Sequence, residues 1–504
     1  MMIFNRFALA AVSILSVLSA PAHAGADGSK LKILHEFQRS DGDQPTFLLR
    51  TGDGTLYGTT VLGAGADFGK GVLYKIDSGG NFSLVHIFTD TPDGALPGRL
   101  IQAADGSIYG LTPAGGAHSG GTVFRLDNTG TYSLLHSFDS PSEGSGPNFL
   151  IQASDGRFYG TNSAGGMPAP DCINHHANGT LFRMTANGHV TALHTFCEFT
   201  DGSIPSSLLQ TADGQFYGTC REDGPLGVGD SDGSGTFWRA NASGNTTVLH
   251  VFQPQQLNGN EPTQPNGVVL AADGFFYGSA NGGGGFSNGA IFRASANGRI
   301  MTLHPFNDYA SDGGGPQTNL VLADDGYFYG TTRHGGLPIE DADRSGVVYR
   351  ADTKGDVWVL HTFSVQDGMF PVAPPVRDPA SKTIYTTATT GGANFNGVTG
   401  SFNEAKAIPV AKVVVHPDHV ISGQSTTGTV KLNKPAPMGG QAVLLHASNG
   451  SVPASVTVPA GDDSADFNID TPALDFRYVT TITASIESLG ASTTLTLLPS
   501  EPAR

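Results

Sequence analysis

The chain is poor in basic residues, in cysteine and in long apolar runs, and each shortage narrows what it can be. Its 504 residues include 27 Lys and Arg against 44 Asp and Glu, a formal charge of −17. No basic cluster occurs, so a phosphate backbone is repelled and nucleic-acid binding is disfavoured. Three cysteines, Cys172, Cys197 and Cys220, allow at most one disulfide and leave one thiol over; no CxxC or Cys/His pattern has zinc spacing. Past the N-terminus no stretch is long and apolar enough to span a bilayer. No nucleophile-elbow sequence occurs, no Ser/His/Asp or Cys/His arrangement can be argued, and no cofactor motif is present, so neither a cofactor nor a resident metal is expected.

The N-terminus reads as a secretory signal. Arg6 supplies a positive start, Phe7 to Ser19 an apolar stretch too short to span, and Ala22-His23-Ala24 a small-x-small cleavage site. Residues 1–24 are therefore expected to be removed. The mature chain then carries no membrane span and is secreted, periplasmic or at the cell surface.

Glycine (69) and proline (30) are plentiful, as short strands and tight turns require. They fall in a repeat. Tyr-Gly recurs at Tyr57, Tyr109, Tyr159, Tyr217, Tyr277 and Tyr329, with a degenerate copy at Tyr385, at steps of 50 to 60 residues. In the first six an Asp-Gly lies four residues earlier. His followed two residues later by Phe occurs at His35, His86, His136, His194, His250, His304 and His361. After each comes a Pro four residues beyond an acidic or Asn residue: Pro45, Pro97, Pro147, Pro205, Pro262, Pro316 and Pro371.

Each unit holds four short strand-like runs. In the second they are Leu100–Gln102, Ile108–Gly110, Thr122–Arg125 and Ser133–His136, joined by hairpin signals at Asp105-Gly106 and Asn128–Gly130. A four-stranded unit of this size is a propeller blade. Consecutive apolar positions fit strands buried on both faces. A β-solenoid would use shorter coils and capped ends. The phase of the repeat argues for a ring instead. The His35 run is a fourth strand without its own blade, and the last unit (first three strands near Val372–Arg377, Lys382–Ala388 and Gly400–Ala407) lacks a fourth. The fold class expected is thus all-β: a seven-bladed β-propeller over 25–408 closed by the strand Leu31–Phe37, with no free sheet edge. Residues 409–498 carry a different set of strand-like runs, and 499–504 form a polar tail. About 90 residues of this kind fit a β-sandwich.

The pattern Asp53–Thr60, Gly115-Gly116, Gly121–Phe124 and Leu135–Phe138 resembles the GloVer (choice-of-anchor) tandem-repeat proteins over roughly residues 31–402. The resemblance implies a bacterial exported protein, commonly tied to the cell surface, and brings no catalytic residues with it. The tail, Pro-Ser-Glu-Pro-Ala-Arg, departs from that family in having no anchor helix. The segment before it, with Thr427–Val430, Pro435–Pro437, Gly439-Gly440 and Val456–Gly461, looks like a bacterial immunoglobulin-like domain, a spacer or binding module.

Strand order puts the second-to-third loop and the connection to the next blade on one face. The long insertions, Gly165–Asn178, Cys220–Ser234, Gln253–Gly267 and His334–Ser345, all lie there, so ligand contacts are expected from that face. The candidates are His175, His176, Arg221, Glu222, Asp223, Arg333 and His334. No third ligand accompanies the His pair. Asp230–Gly233 lacks the later ligands of a calcium loop. Glu222, Asp223, Glu340 and Asp341 could supply a glycosidase carboxylate pair, which needs a fixed separation. Strand order also favours a Cys172–Cys197 disulfide, with Cys172–Cys220 the alternative. The repeated His and Tyr residues read as architecture: the His is expected to satisfy a backbone group between blades. Function follows as an exported non-catalytic binding or adhesion protein, with a glycan or cell-surface protein as partner; the alternative is an exported glycoside hydrolase or polysaccharide lyase with its site at the channel mouth.

Overall fold

The computed structural model describes residues 31–64, 69–167, 177–225, 235–253, 261–307, 312–336, 345–404, 410–486 and 489–500. Among them, regular structure is almost entirely β, with one helical turn at Ser140–Glu143. The expected signal segment lies outside the described residues.

The repeats fold into seven antiparallel sheets in chain order, each with four strand positions. Sheet two comprises Leu100–Gln102, Ile108–Thr112, Thr122–Leu126 and Tyr132–Ser137. The Asp-Gly signal makes its first hairpin. Gly106 adopts a left-handed φ of 84°, and the Asp105 carboxylate accepts the Ser107 N–H at 2.9 Å. The two middle strands are buried along almost every residue, as their unbroken apolar runs require.

The seventh sheet has Val376–Asp378, Thr383–Ala388 and Val398–Asn403 from the end of the repeat, and Lys32–Glu36 as its outer strand. Lys32 faces Ser401 and Glu36 faces Val398. The third strand thus starts before the expected Gly400 and stops at Asn403. Just beyond, Glu404 turns inward and ion-pairs with Arg350 at 2.6 Å and Arg377 at 2.9 Å.

Three contacts repeat between neighbouring sheets and explain the repeated residues. A glycine at or just before the start of each third strand lies under the repeat proline of the next sheet; a Cβ there would sit 2.5–2.8 Å from the proline Cδ. This holds from Gly71 under Pro97 through Gly346 under Pro371, and Gly397 of sheet seven lies under Pro45 of sheet one. The tyrosine of one sheet stacks on the phenylalanine preceding the next sheet's tyrosine, for example Tyr109 on Phe158 at 4.3 Å and Tyr277 on Phe328 at 4.5 Å. Each such pair contributes roughly 0.5–1.5 kcal/mol beyond its buried area. Finally, every repeated His pairs through Nε2 with a carboxylate in the connection to the next sheet, at 2.5–3.3 Å for six pairs, His250–Glu261 being the seventh. The expectation that these His residues are architectural is met with a different partner: an acidic side chain takes the place of a backbone group. That carboxylate in turn accepts a backbone N–H, as Asp93 does from Thr89 and Asp201 from Cys197.

The same contacts correct one position. In sheet five the repeat proline is Pro265, not Pro262: Pro265 packs on Gly235 and follows Glu261 by four residues. The paired acid therefore precedes the proline by four in all seven sheets, and the Asn assigned by spacing was an accident of the inserted segment.

Residues 410–500 form two further sheets. One is Val410–His416, Ser425–Leu432 and Ser464–Asp470; the other is Ser455–Val458, Gln441–Ala447, Tyr478–Ile486 and Leu489–Leu498, with His419–Ile421 alongside. Val413, Val430, Val443, Phe467, Ile482 and Leu495 fill the core between them. This region is not tethered loosely. Leu489–Leu498 adds to the outer strand of sheet six, with Val357 facing Ser492 and Trp358 facing Ala491. Trp358 donates its indole N–H to the Ala411 carbonyl at 2.8 Å, and Thr481 donates to the Pro305 carbonyl at 3.0 Å. The outer strand of sheet six is accordingly apolar and buried, Val357-Trp358-Val359-Leu360, where the equivalent Ser133-Leu134 is exposed.

Candidate functional site

The first strands of the sheets carry the site. In every sheet the residue before the repeat proline has a left-handed φ between 54° and 68°: Gln44, Leu96, Gly146, Ile204, Gln264, Gly315 and Phe370. Five of these seven are not glycine, and each costs on the order of 1–2 kcal/mol of backbone strain. In sheets one, three and five the strand register slips just after the proline, a bulge that re-aims the next residues. They point at a shared cavity of about 270 Å³, to which all seven sheets contribute.

Its wall is built from equivalent positions carrying different side chains. One residue after the proline stand Asn148, Ser206, Asn266, Gln317 and Val372; two after stand Phe47, Arg99, Phe149 and Thr318. Several of the first set are committed to the neighbouring sheet. Asn148 donates to the Pro205 carbonyl at 2.7 Å, Ser206 to that of Pro265 at 2.9 Å, and Asn266 to that of Pro316 at 2.6 Å. The second set is where symmetry breaks. The Arg99 guanidinium carbon lies 3.7 Å from the centre of the Phe149 ring and 5.4 Å from that of Phe47. Both rings hold the guanidinium by cation–π contact where it lines the cavity. Burial lowers its pKa to about 10, so it remains charged at neutral pH. Neither Arg99 nor Arg221, which reaches the same cavity from sheet four, forms an ion pair or side-chain hydrogen bond with a described residue.

The other expected site residues disperse. Glu222 ends its strand beside Arg221; burial raises its carboxyl, with the Arg221 charge working against that. Asp223 takes a left-handed φ of 59° and accepts a hydrogen bond from the Ser203 hydroxyl. Arg333 and His334 end the second strand of sheet six, exposed and near Phe370, at 5.7 and 6.0 Å from its ring centre. His175, His176, Glu340, Asp341 and Asp230–Gly233 lie outside the described residues. Cys197 is disulfide-bonded and Cys220 is a buried free thiol; Cys172, the expected partner of Cys197, also lies outside them. Among the described residues, no group of three His, Cys, Asp or Glu side chains could hold a metal ion, and no helix is long and apolar enough to cross a membrane.

Arg99, Phe47 and Phe149 escaped the sequence reading. The signal was present: in the repeat frame they are one position in three consecutive sheets, and they differ where the framework residues do not. A second and larger cavity, about 450 Å³, opens on the opposite face between sheets seven and one. Its walls are mostly turn backbone and strand ends around Gly79-Gly80 and Thr383, with Lys32 and Asp77 the charged residues among its described lining, so the shared cavity is the better site.

No curated protein matches the sequence. Of solved structures, the extracellular domain of a one-component-system protein from B. thetaiotaomicron is similar at 10% identity and a TM-score of 0.47, over 94% of this chain and 58% of that one. This chain thus spans little more than half of that relative's length. Puromycin hydrolase gives 10% identity and a TM-score of 0.46, over 81% and 62%; an α-L-arabinanase from Penicillium chrysogenum gives 14% and 0.38, over 76% and 98%. The sequence itself matches the Gloeobacter/Verrucomicrobia repeat over residues 24–231 and 227–430. The chain belongs to the Gloeobacter/Verrucomicrobia repeat family.

Proposed function

We propose that this is an exported, non-catalytic binding protein: a seven-bladed β-propeller with an immunoglobulin-like domain docked on its sixth blade, and a ligand site at the channel mouth on the loop-rich face. The observation that carries the reading is the cavity wall. Seven equivalent first strands converge on it, yet its wall breaks their symmetry with two guanidinium groups that have no ion pair among the described residues, two aromatic rings and the Gln317 amide. Convergent polar groups on an apolar frame are what a recognition site needs. Glycan or cell-surface protein is the partner class, reached after removal of residues 1–24.

A carbohydrate-active enzyme is the competing reading. It needs two carboxylates flanking the substrate, and the described wall of the cavity offers cations, amides and rings in their place. The deciding experiment is a glycan-array screen with a reducing-end release assay on every hit. Binding without turnover, lost when the Arg221–Asp232 loop is shortened to the length found in blade two, supports the reading. Turnover of a hit would replace it with the enzyme; full binding after loop shortening would move the site.

A further inference from the structure

We infer that the cavity recognises a carboxylate, so that the ligand is an acidic one such as a uronate- or sialate-bearing glycan; this rests on the binding reading above. The geometry of Arg99 is the ground. A buried or half-buried guanidinium is often matched by a carboxylate of its own protein, and three others of this chain are. Arg50 pairs with Asp378, Arg350 with Glu404, and Arg377 with Asp324, Asp325 and Glu404. Arg99 has no such partner among the described residues, although it stands in a chain with an excess of acids. Its guanidinium carbon lies over Phe149 at 3.7 Å and over Phe47 at 5.4 Å, contacts that hold the side chain in place before any ligand arrives. What stays open is the edge, a planar fork of N–H donors that matches both oxygens of a carboxylate.

Three further facts converge. Arg221 adds a second cation to the same 270 Å³ cavity, and no Asp or Glu is among its described lining residues. Gln317 lies on the wall with its amide uncommitted to any described residue. Desolvation has already lowered the Arg99 pKa to about 10, so an arriving anion relieves a cost present in the empty cavity. A cavity of this size admits one sugar residue or a ligand's acidic end, not a whole chain.

The test uses paired probes that differ only in charge: trigalacturonic acid with its methyl ester, and sialyllactose with lactose, titrated calorimetrically into the full mature chain. An acidic member is expected to bind at least about tenfold more tightly than its neutral partner. Arg99→Gln and Arg221→Gln should each remove about tenfold or more of that preference, with Arg99→Lys between them and wild type because it keeps charge but loses the fork. Arg221→Gln serves as the second arm should Arg99→Gln fold poorly, since Arg221 is half-buried and unstacked. Equal affinity for acid and neutral members, or acid preference unchanged in both variants, overturns the inference while leaving a binding site at the channel. Failure of both acidic probes overturns it too; neutral hits on the array would then show that the binding reading survives alone.

Discussion

Replacing Gly397 by alanine tests whether the seventh sheet packs on the first, and Gly80 provides the control. Both glycines have a left-handed φ, 91° and 87°. An L-residue there costs about 1–2 kcal/mol at either site. A Cβ at Gly80 meets nothing within 4 Å. One at Gly397 would sit 2.5 Å from Pro45 Cδ, 2.5 Å from the Ala388 carbonyl oxygen and 2.8 Å from that of Thr389. Relieving such overlap costs a further 1–3 kcal/mol or so. Gly80→Ala should therefore lose about 1–2 kcal/mol and Gly397→Ala about 2–5 kcal/mol. Urea unfolding followed by circular dichroism measures both, compared by midpoint at equal slope. Pro45→Ala combined with Gly397→Ala should recover part of the excess, because Pro45 supplies one of the overlapping atoms. Equal losses at the two glycines, or no recovery in the double variant, would refute a seam between sheets seven and one.

Other expectations concern the framework. Burial pushes the Asp93 carboxyl up, but hydrogen bonds from Thr89 and His86 outweigh it and hold it below the usual carboxylate range. Asp367 behaves alike through His361 and Ser364. A folded pKa below the unfolded one gives stability that is complete above the unfolded value, near 4, and lost as pH falls through the folded one. Asp93→Asn should lower the melting temperature at pH 7, by an amount equivalent to about 1–3 kcal/mol, and flatten its fall below pH 4. Ile204→Gly copies Gly146 and Gly315 at the strained position and should be neutral or stabilising by up to about 1 kcal/mol in the same urea assay. Trp358→Ala should weaken docking of residues 410–500 by about 3–5 kcal/mol and let limited proteolysis release them. Peptide mapping without reduction should join Cys197 to Cys172 and find Cys220 unmodified in native protein, since burial raises its thiol pKa.

What the sequence made legible was whatever recurs. Tyr-Gly, Asp-Gly, His-x-Phe and the proline each do one job in each sheet, so spacing alone ordered the strands and exposed the missing fourth one. Pro262 was misassigned because an insertion before it moved an unrelated Asn into register; the paired acid, Glu261, marks the right proline. Arg99 was passed over because a recognition residue is the one that does not repeat, and seeing it requires knowing which way the bulge after the proline turns the strand. Docking of the last sheet was readable in Val357–Leu360, a buried apolar run where the outer strands of sheets two, three and four carry the exposed Ser133, Thr191 and Thr247, but only beside the partner strand does it gain meaning. Arg333 and His334 looked like site residues by clustering; their place at the end of a second strand, against Phe370, leaves them outside the cavity.

The location of ligand binding can be tested by blocking one cavity at a time. Cys197 is bonded and Cys220 is buried, so a cysteine introduced at Gln317 in the shared cavity, or at Ser78 in the opposite one, can be labelled selectively with a bulky maleimide. Each labelled protein is then screened on the same glycan array as the unlabelled chain. The expected result is that the Gln317 label abolishes the hits and the Ser78 label leaves them intact; hits that survive the Gln317 label, or that vanish only with the Ser78 label, would contradict a site at the channel mouth.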